Sequence, residues 1–211
     1  MVEFCTSGEA WLTRLANHYG IHAIPVVAEV DATLPETMEL LEASLQLASR
    51  KNMHVIVWAS TPCTGGSPWQ RFHRARDEQY YDDKMKGLFT VHRKLWKGFL
   101  RLVNTSASTT WVIEWPQRCA YWGWASTKSF LKLNQHESTL VFGCACGMVG
   151  SDGLPIKKVW RLCSSSHVLI HCMSKFKCPG DHKHSSSYVL RSTQHYPEAF
   201  AHTALRALSA W

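Results

Sequence analysis

Nowhere in this chain of 211 residues do about 18 apolar residues run together, so no segment reads as a membrane-spanning helix. A secretory leader is also missing, because Val2-Glu3-Phe4 enters a strand-like segment at once. An intracellular protein of cytoplasm or nucleus, not secreted, is the expectation, and the abrupt start at Met1 suits a domain cut from a longer chain. No internal repeat is present, which excludes a repeat array. Charge is sparse at 18% of residues, yet 45% hydrophobic residues argue against disorder. Acidic residues are the scarcer sign, 16 against 23 Lys and Arg, giving a net charge of +7. That excess suits a polyanionic partner, with a basic surface serving only solubility as the alternative.

What is present is more specific. Eight cysteines without a leader read as reduced thiols, reactive or metal-bound, not as a disulfide framework. Ten tryptophans exceed what packing usually recruits, so some are expected at a binding surface. The run Val55-Ile56-Val57-Trp58-Ala59 followed by Ser60-Thr61-Pro62-Cys63-Thr64-Gly65-Gly66-Ser67 reads as a buried strand ending in a tight loop that presents a thiol. Open α/β sheets place their chemistry at such carboxyl ends. Glycines after Cys63 would let backbone N–H groups face a bound anion or base; the plain alternative is a small buried apolar residue.

The remaining pieces fit a strand and helix alternation in one domain. Val2-Glu3-Phe4, then Cys5 to Glu9, then Ala10 to Ala16 predict strand, turn and helix, an opening that offers free N–H groups to a ligand. Ile24 to Asp31 predicts a second strand whose terminal Glu29 or Asp31 is placed to accept from ribose hydroxyls, or else is a solvated strand end or cap. Leu34 to Ser49 predicts an amphipathic helix with Pro35 in its first turn and Leu40, Leu41, Leu45 and Leu47 among its apolar positions. Trp69 to Lys86 reads either as a lid meeting phosphate through Arg71, Arg74 and Arg76 or as a solvated loop and helix start.

Leu88 to Val103 predicts a helix, and Trp111-Val112-Ile113-Glu114-Trp115-Pro116 a buried strand that strands a carboxylate beside the Cys63 loop. Tyr121-Trp122-Gly123-Trp124 can stack bases or seal a core, the core being preferred for at least one tryptophan. Leu140 to Phe142 and Val159 to Leu162 predict a hairpin, with Lys157, Lys158 and Arg161 adding positive charge. Cys172, Cys178, His182 and His184 are the types that hold tetrahedral zinc, although their spacing departs from the usual knuckle. Tyr196-Pro197 opens a last helix running to Trp211.

The order of these pieces resembles the cytosine-C5 DNA methyltransferases, particularly small, divergent phage-like members, over most of the chain. Glu3-Phe4-Cys5-Thr6-Ser7-Gly8 resembles the family's S-adenosylmethionine loop, Thr61 to Ser67 its Pro-Cys catalytic loop, and Ile113-Glu114-Trp115-Pro116 stands where the family carries a Glu-Asn-Val type of motif. The basic hairpin and Tyr196-Pro197 resemble its later strand region and closing helix. The resemblance implies a Rossmann-like α/β fold, mostly parallel and flanked by helices, with a methyltransferase-like domain over 1–165, a Cys/His-containing appendage over 166–195 and a closing helix over 196–211.

It further implies that Cys63 is the nucleophile at cytosine C6, that Glu114 supports protonation at N3 and that Arg161 orients base or loop. Phe4, Cys5, Ser7, Gly8, Glu29, Asp31 and Pro62 would surround S-adenosylmethionine. The implied partner is nucleic acid, DNA ahead of RNA; no segment is long enough for a full recognition domain, which fits a compact enzyme of weak sequence preference or a partner protein that supplies target recognition. Trp115-Pro116 in place of Asn-Val and a cofactor loop with only Gly8 also fit a second reading. In that reading the scaffold has lost the reaction and serves as a nucleic-acid-binding or assembly module.

Overall fold

The computed structural model describes residues 1–7, 9–186 and 193–210, the side chains of Arg71 and His73 excepted. In chain order the elements are β1 (Val2–Phe4), α1 (Trp11–Ala16), β2 (Ile24–Val26), α2 (Pro35–Arg50), β3 (Val55–Ala59), α3 (Gln70–Arg74) and α4 (Glu78–Val103). Then follow β4 (Thr109–Pro116), α5 (Ala125–Leu133), β5 (Glu137–Phe142), β6 (Val159–Ser164), α6 (His167–Met173) and α7 (Glu198–Leu208).

The six strands form one sheet in the order β2-β1-β3-β4-β6-β5. Parallel pairing joins β2, β1, β3 and β4, while β6 runs antiparallel to both β4 and β5. This is the Rossmann-like α/β architecture expected from the strand and helix alternation.

Strand alternation divides the core between the two sheet faces. Val55, Val57 and Ala59 pack on one side with Met38, Leu41 and Leu45 of α2, Leu95, Phe99 and Leu102 of α4, and Phe130 of α5. Ile56 and Trp58 pack on the other with Leu12 of α1, Leu169 and Ile170 of α6, and Phe200 and Leu205 of α7. The chain steps outward from β1 to β2, then crosses back over to β3, so α1 and α2 lie on opposite faces. The gap between the carboxyl ends of β1 and β3 is therefore the point where the sheet changes winding direction, the place where such sheets bind ligands.

Several local expectations shift in the structure. The second strand ends at Val26, and Glu29 and Asp31 are exposed beyond it; Asp31 Oδ1 accepts from the Thr33 N–H at 2.8 Å and closes a turn. On α2, Leu40 and Leu47 face solvent, because Met38, Leu41 and Leu45 already fill the inward stripe. The fourth helix begins ten residues earlier than Leu88, capped by Asp77, whose carboxylate accepts from the Tyr80 N–H at 2.9 Å. Most of the charged stretch is thus helical. Arg74 pairs with Glu78 at 2.8 Å on its exposed surface.

The helix α6 is part of the main body, since Leu169, Ile170 and Met173 are buried in the second core. Residues 174–186 beyond it form no helix or strand. Among the described residues no helix is long and apolar enough to cross a membrane.

Candidate functional site

A cavity of about 310 Å³ opens at the carboxyl edge of the sheet, at the β1 and β3 switch point. Its walls come from the β1 loop (Cys5, Thr6, Ser7), the β3 loop (Ser60 to Thr64), the end of β4 (Glu114, Trp115, Pro116), Lys158 and Trp160 at the start of β6, and His195 and Tyr196 before α7. Five segments distant in sequence therefore share one space. Its volume lies at the lower end of the range for small-molecule sites.

The β3 loop is pinned from above and below by tryptophan. Trp115 Nε1 donates to Thr61 Oγ1 at 2.9 Å, and Trp58 Nε1 donates to Ser60 Oγ at 3.1 Å. Gln70 adds a bond from Nε2 to the Thr64 carbonyl at 2.9 Å. These bonds fix the turn that carries Cys63, which opens a short 3-10 turn over Thr64–Gly66.

The two glycines have a packing role. Gly65 and Gly66 are buried against Tyr121 and Cys119, where a Cβ on either would collide with those side chains. They allow close packing of the loop on the Ala120–Gly123 turn.

Electrostatically the cavity couples three titratable groups. Burial pushes the Cys63 thiol upward, the nearby Glu114 carboxylate pushes it further, and Lys158 opposes both. Burial raises Glu114 to about 7, again against Lys158 and against a hydrogen bond from Tyr196. Lys158 is itself lowered by burial and partly restored by Glu114 and Cys63. Cys63 at rest is therefore a thiol, and Glu114 exchanges its proton near neutrality. A network sets the carboxyl in place: Tyr196 donates to Glu114 Oε2 at 2.6 Å, and its oxygen lies 2.6 Å from Ser60 Oγ.

The β1 loop is shaped by a buried acid. Glu3 accepts from Thr6 Oγ1 at 2.7 Å through one oxygen and from the Thr13 hydroxyl through the other, at 2.5 Å. Both oxygens are thereby committed to holding the turn against α1. Cys5 leaves β1 with φ of 65°, the left-handed conformation that glycine adopts freely. Ser7 Oγ reaches His195 Nδ1 at 3.2 Å and closes the cavity's outer wall.

Of the residues expected at the site, Cys63, Glu114, Cys5, Ser7 and Pro62 line this cavity. Phe4 does not; it is fully buried in the first core, because the alternation of β1 turns it toward α2 and α4. Glu29 and Asp31 do not either, since β2 stops short of the rim. Gly8 lies outside the described residues.

Arg161 is carried away by strand alternation. It stacks over Trp122 at 4.7 Å and lines a separate surface hollow with Ser138, Leu140 and Cys178. The cation facing Cys63 and Glu114 is Lys158, which the sequence shows only as part of a basic stretch. Tyr196 was visible as the head of the last helix but its bond to Glu114 was not. The Tyr121-Trp122 pair is core, with Tyr121 stacked on His92 at 3.6 Å.

A second cluster lies apart from the cavity. Cys144, Cys178, His182 and His184 bring their ligand atoms within 4.8 Å of one another and could hold a metal ion such as zinc. Cys172 is not among them. It sits on α6 with its side chain against the second core, and Cys144, in the Gly143–Cys146 turn after β5, takes its place.

Compared with protein-family models, curated proteins and solved structures, the chain matches none.

Proposed function

We infer that this chain transfers a methyl group from S-adenosylmethionine to C5 of cytosine in nucleic acid, through a covalent bond to Cys63. The observation that carries this reading is the convergence of Cys63, Glu114 and Lys158 on one cavity at the switch point of the sheet. A thiol, a carboxyl that holds its proton near neutrality and an ammonium group are what addition to a pyrimidine needs.

The residues fit the cofactor in part. The β1 loop, held by Glu3, faces the cavity next to Cys63, and the left-handed Cys5 lets the backbone turn there without the glycine that the loop lacks. No acid at the end of β2 reaches the rim, so the nucleoside end would rely on loop backbone and on Ser7 and His195. When bound, the cofactor supplies an electrophilic methyl group and leaves as the thioether.

The protein's own groups would do the rest. Cys63 would give its proton to solvent and its sulfur would add to C6 of cytosine, while the Glu114 carboxyl donates a proton at N3, so that electron density reaches C5. After methylation at C5 the C5 proton leaves to a base, the Glu114 site recovers its proton from N3, and the Cys63–C6 bond breaks to regenerate the thiolate. Lys158 opposes the negative charge that Glu114 places beside the thiolate. It would do the same during addition. Nucleic acid as substrate is supported by the net charge of +7 and by exposed Trp69 and Phe72, 5.4 Å apart on the segment that follows the Cys63 loop. The Cys/His cluster, whose residues do not line the cavity, has a structural part in this reading.

One observation favours the alternative, a scaffold that binds nucleic acid or assembles without methylating it: the Tyr196 hydroxyl already occupies Glu114 Oε2. The two are separated with DNA and RNA oligonucleotides carrying 5-fluorocytosine. Fluorine cannot leave C5 as a proton does, so the adduct persists. The methyl-transfer reading expects a cofactor-dependent adduct on Cys63, absent from Cys63→Ser. Salt-sensitive binding of both oligonucleotides with no adduct and no cofactor dependence would favour the non-catalytic scaffold.

A further inference from the structure

The geometry points to a structural zinc site formed by Cys144, Cys178, His182 and His184, with Asp181 orienting one ligand, that clips the loop after β5 to the segment leading to the cavity. This stands apart from the methyl-transfer reading and does not depend on it.

Three of the four ligand atoms already stand at spacings close to the edges of a zinc tetrahedron. With zinc–nitrogen bonds of about 2.0–2.1 Å and zinc–sulfur bonds of about 2.3 Å, tetrahedral edges are about 3.3 Å between nitrogens and about 3.6 Å between nitrogen and sulfur. The observed edges are 3.2 Å between His182 Nε2 and His184 Nε2, 3.4 Å from Cys178 Sγ to His184 Nε2, and 3.9 Å from Cys178 Sγ to His182 Nε2. Cys144 Sγ lies within 4.8 Å of the other three ligand atoms and supplies the fourth.

The second imidazole nitrogen of His182 supplies an independent sign. His182 Nδ1 lies 3.1 Å from Asp181 Oδ1. A proton on Nδ1, donated to that carboxylate, leaves Nε2 as a bare lone pair aimed at the cluster, the arrangement found behind metal-bound histidines. Two soft thiolates and two borderline imidazoles select borderline zinc over the hard ions calcium, magnesium or manganese.

The local chain explains how the unusual spacing works. Gly180, at φ of 80°, turns the chain sharply after Cys178-Pro179, and the following backbone is without helix or strand. The chain bends at His182, and His182 Nε2 and His184 Nε2 come within 3.2 Å of each other. Cys144 comes from a turn that Gly147, at φ of 86°, closes.

The clip also holds the cavity wall. Gly143, next to Cys144, donates its N–H to the Lys158 carbonyl at 2.7 Å, and Lys158 Nζ donates to the Thr193 carbonyl. On the other side, Ser185, next to His184, donates its N–H to the Pro155 carbonyl at 2.8 Å and its hydroxyl to Asp152 at 2.8 Å. Both ends of the metal site thus border the segment that delivers Lys158.

The test is metal content of the purified full chain, prepared under reducing conditions, with cobalt replacement as a spectroscopic probe. About one zinc per chain is expected, kept by Cys172→Ser and lost from Cys144→Ser and Cys178→Ser. Cobalt should give a tetrahedral spectrum with sulfur charge transfer. In Cys144→His, which keeps four ligands, metal should be retained while the sulfur band falls by about half, as one of two thiolates is removed. That variant answers for Cys144→Ser should the latter fail to fold. The proposal is overturned if the folded, reduced protein holds no zinc, if Cys172→Ser loses the metal while Cys144→His keeps its full sulfur band, or if Cys144 and Cys178 are recovered as a disulfide.

Discussion

The two cysteine sites of this molecule use one residue type in opposite surroundings. Cys63 stands at the end of a buried strand, in a cavity whose walls come from five distant segments, and burial together with Glu114 holds it as a thiol. Cys178 lies half-buried in an irregular loop, with three of the four ligands falling between residues 178 and 184. The first site is assembled by sheet topology and the second by a tight turn. Cys63 is kept neutral by its surroundings, whereas Cys178 stands beside three further side chains that could hold a metal ion.

The sharpest way to break that contrast is to remove one sulfur at a time. Cys63→Ser should lower adduct formation and methyl transfer by roughly a thousandfold or more, with zinc content unchanged, since an alkoxide is not available at neutral pH. Measuring tritiated methyl incorporation and metal in the same preparation checks both halves.

Glu114→Gln should act on stability as well as chemistry. Burial raises this carboxyl to about 7 from the ordinary 4.5, so the folded state holds its proton to higher pH than the unfolded chain. Its favourable contribution is fully present below about 4.5 and is lost as pH rises through about 7. A glutamine mimics the protonated form. The variant should therefore gain stability on the order of 2–3 kcal/mol above pH 7 and nothing at pH 4, read from denaturant midpoints across pH, while losing methyl transfer.

A smaller effect is expected at the loop's packing. Gly66→Ala drives a methyl group into the Cys119 thiol and should cost about 1–3 kcal/mol, visible as a lower urea midpoint. Smallest of all is Arg161→Ala. Its contact with Trp122 is a partly exposed cation–π pair worth about 0.5–1 kcal/mol, and adduct formation on Cys63 should persist. Loss of the adduct in that variant would put Arg161 back in the chemistry.

The contrast also explains what could be read from the chain. Cys63 and Glu114 were legible because each lies just after an apolar run and within two residues of a proline, so the strand end and the loop can be located by pattern alone. Lys158 was not, because whether it or Arg161 faces the cavity depends on the register and face of β6, which charge counts do not contain. The metal cluster was three-quarters legible from the close set Cys178, His182 and His184. Its fourth member is 34 residues before Cys178 and marked only by the glycines that flank Gly143-Cys144-Ala145-Cys146-Gly147. Cys172 was the nearer choice in sequence, but the apolar face of α6 carries it to the core. The brevity of β2 had a local sign in Pro25, which cannot donate to a ladder, yet nothing in the run to Val30 announced an end at Val26.

Cys63, Glu114 and Lys158 act on one another electrostatically, and peptide-resolved alkylation of Cys63 across pH measures that coupling without any substrate. Glu114→Gln should move the alkylation profile to lower pH by removing a charge that opposes the thiolate, and Lys158→Met should move it to higher pH by removing one that favours it. Profiles that coincide with the unaltered protein in both variants would contradict the account, for Cys63 would then be a buried cysteine beside the other two groups and not their partner.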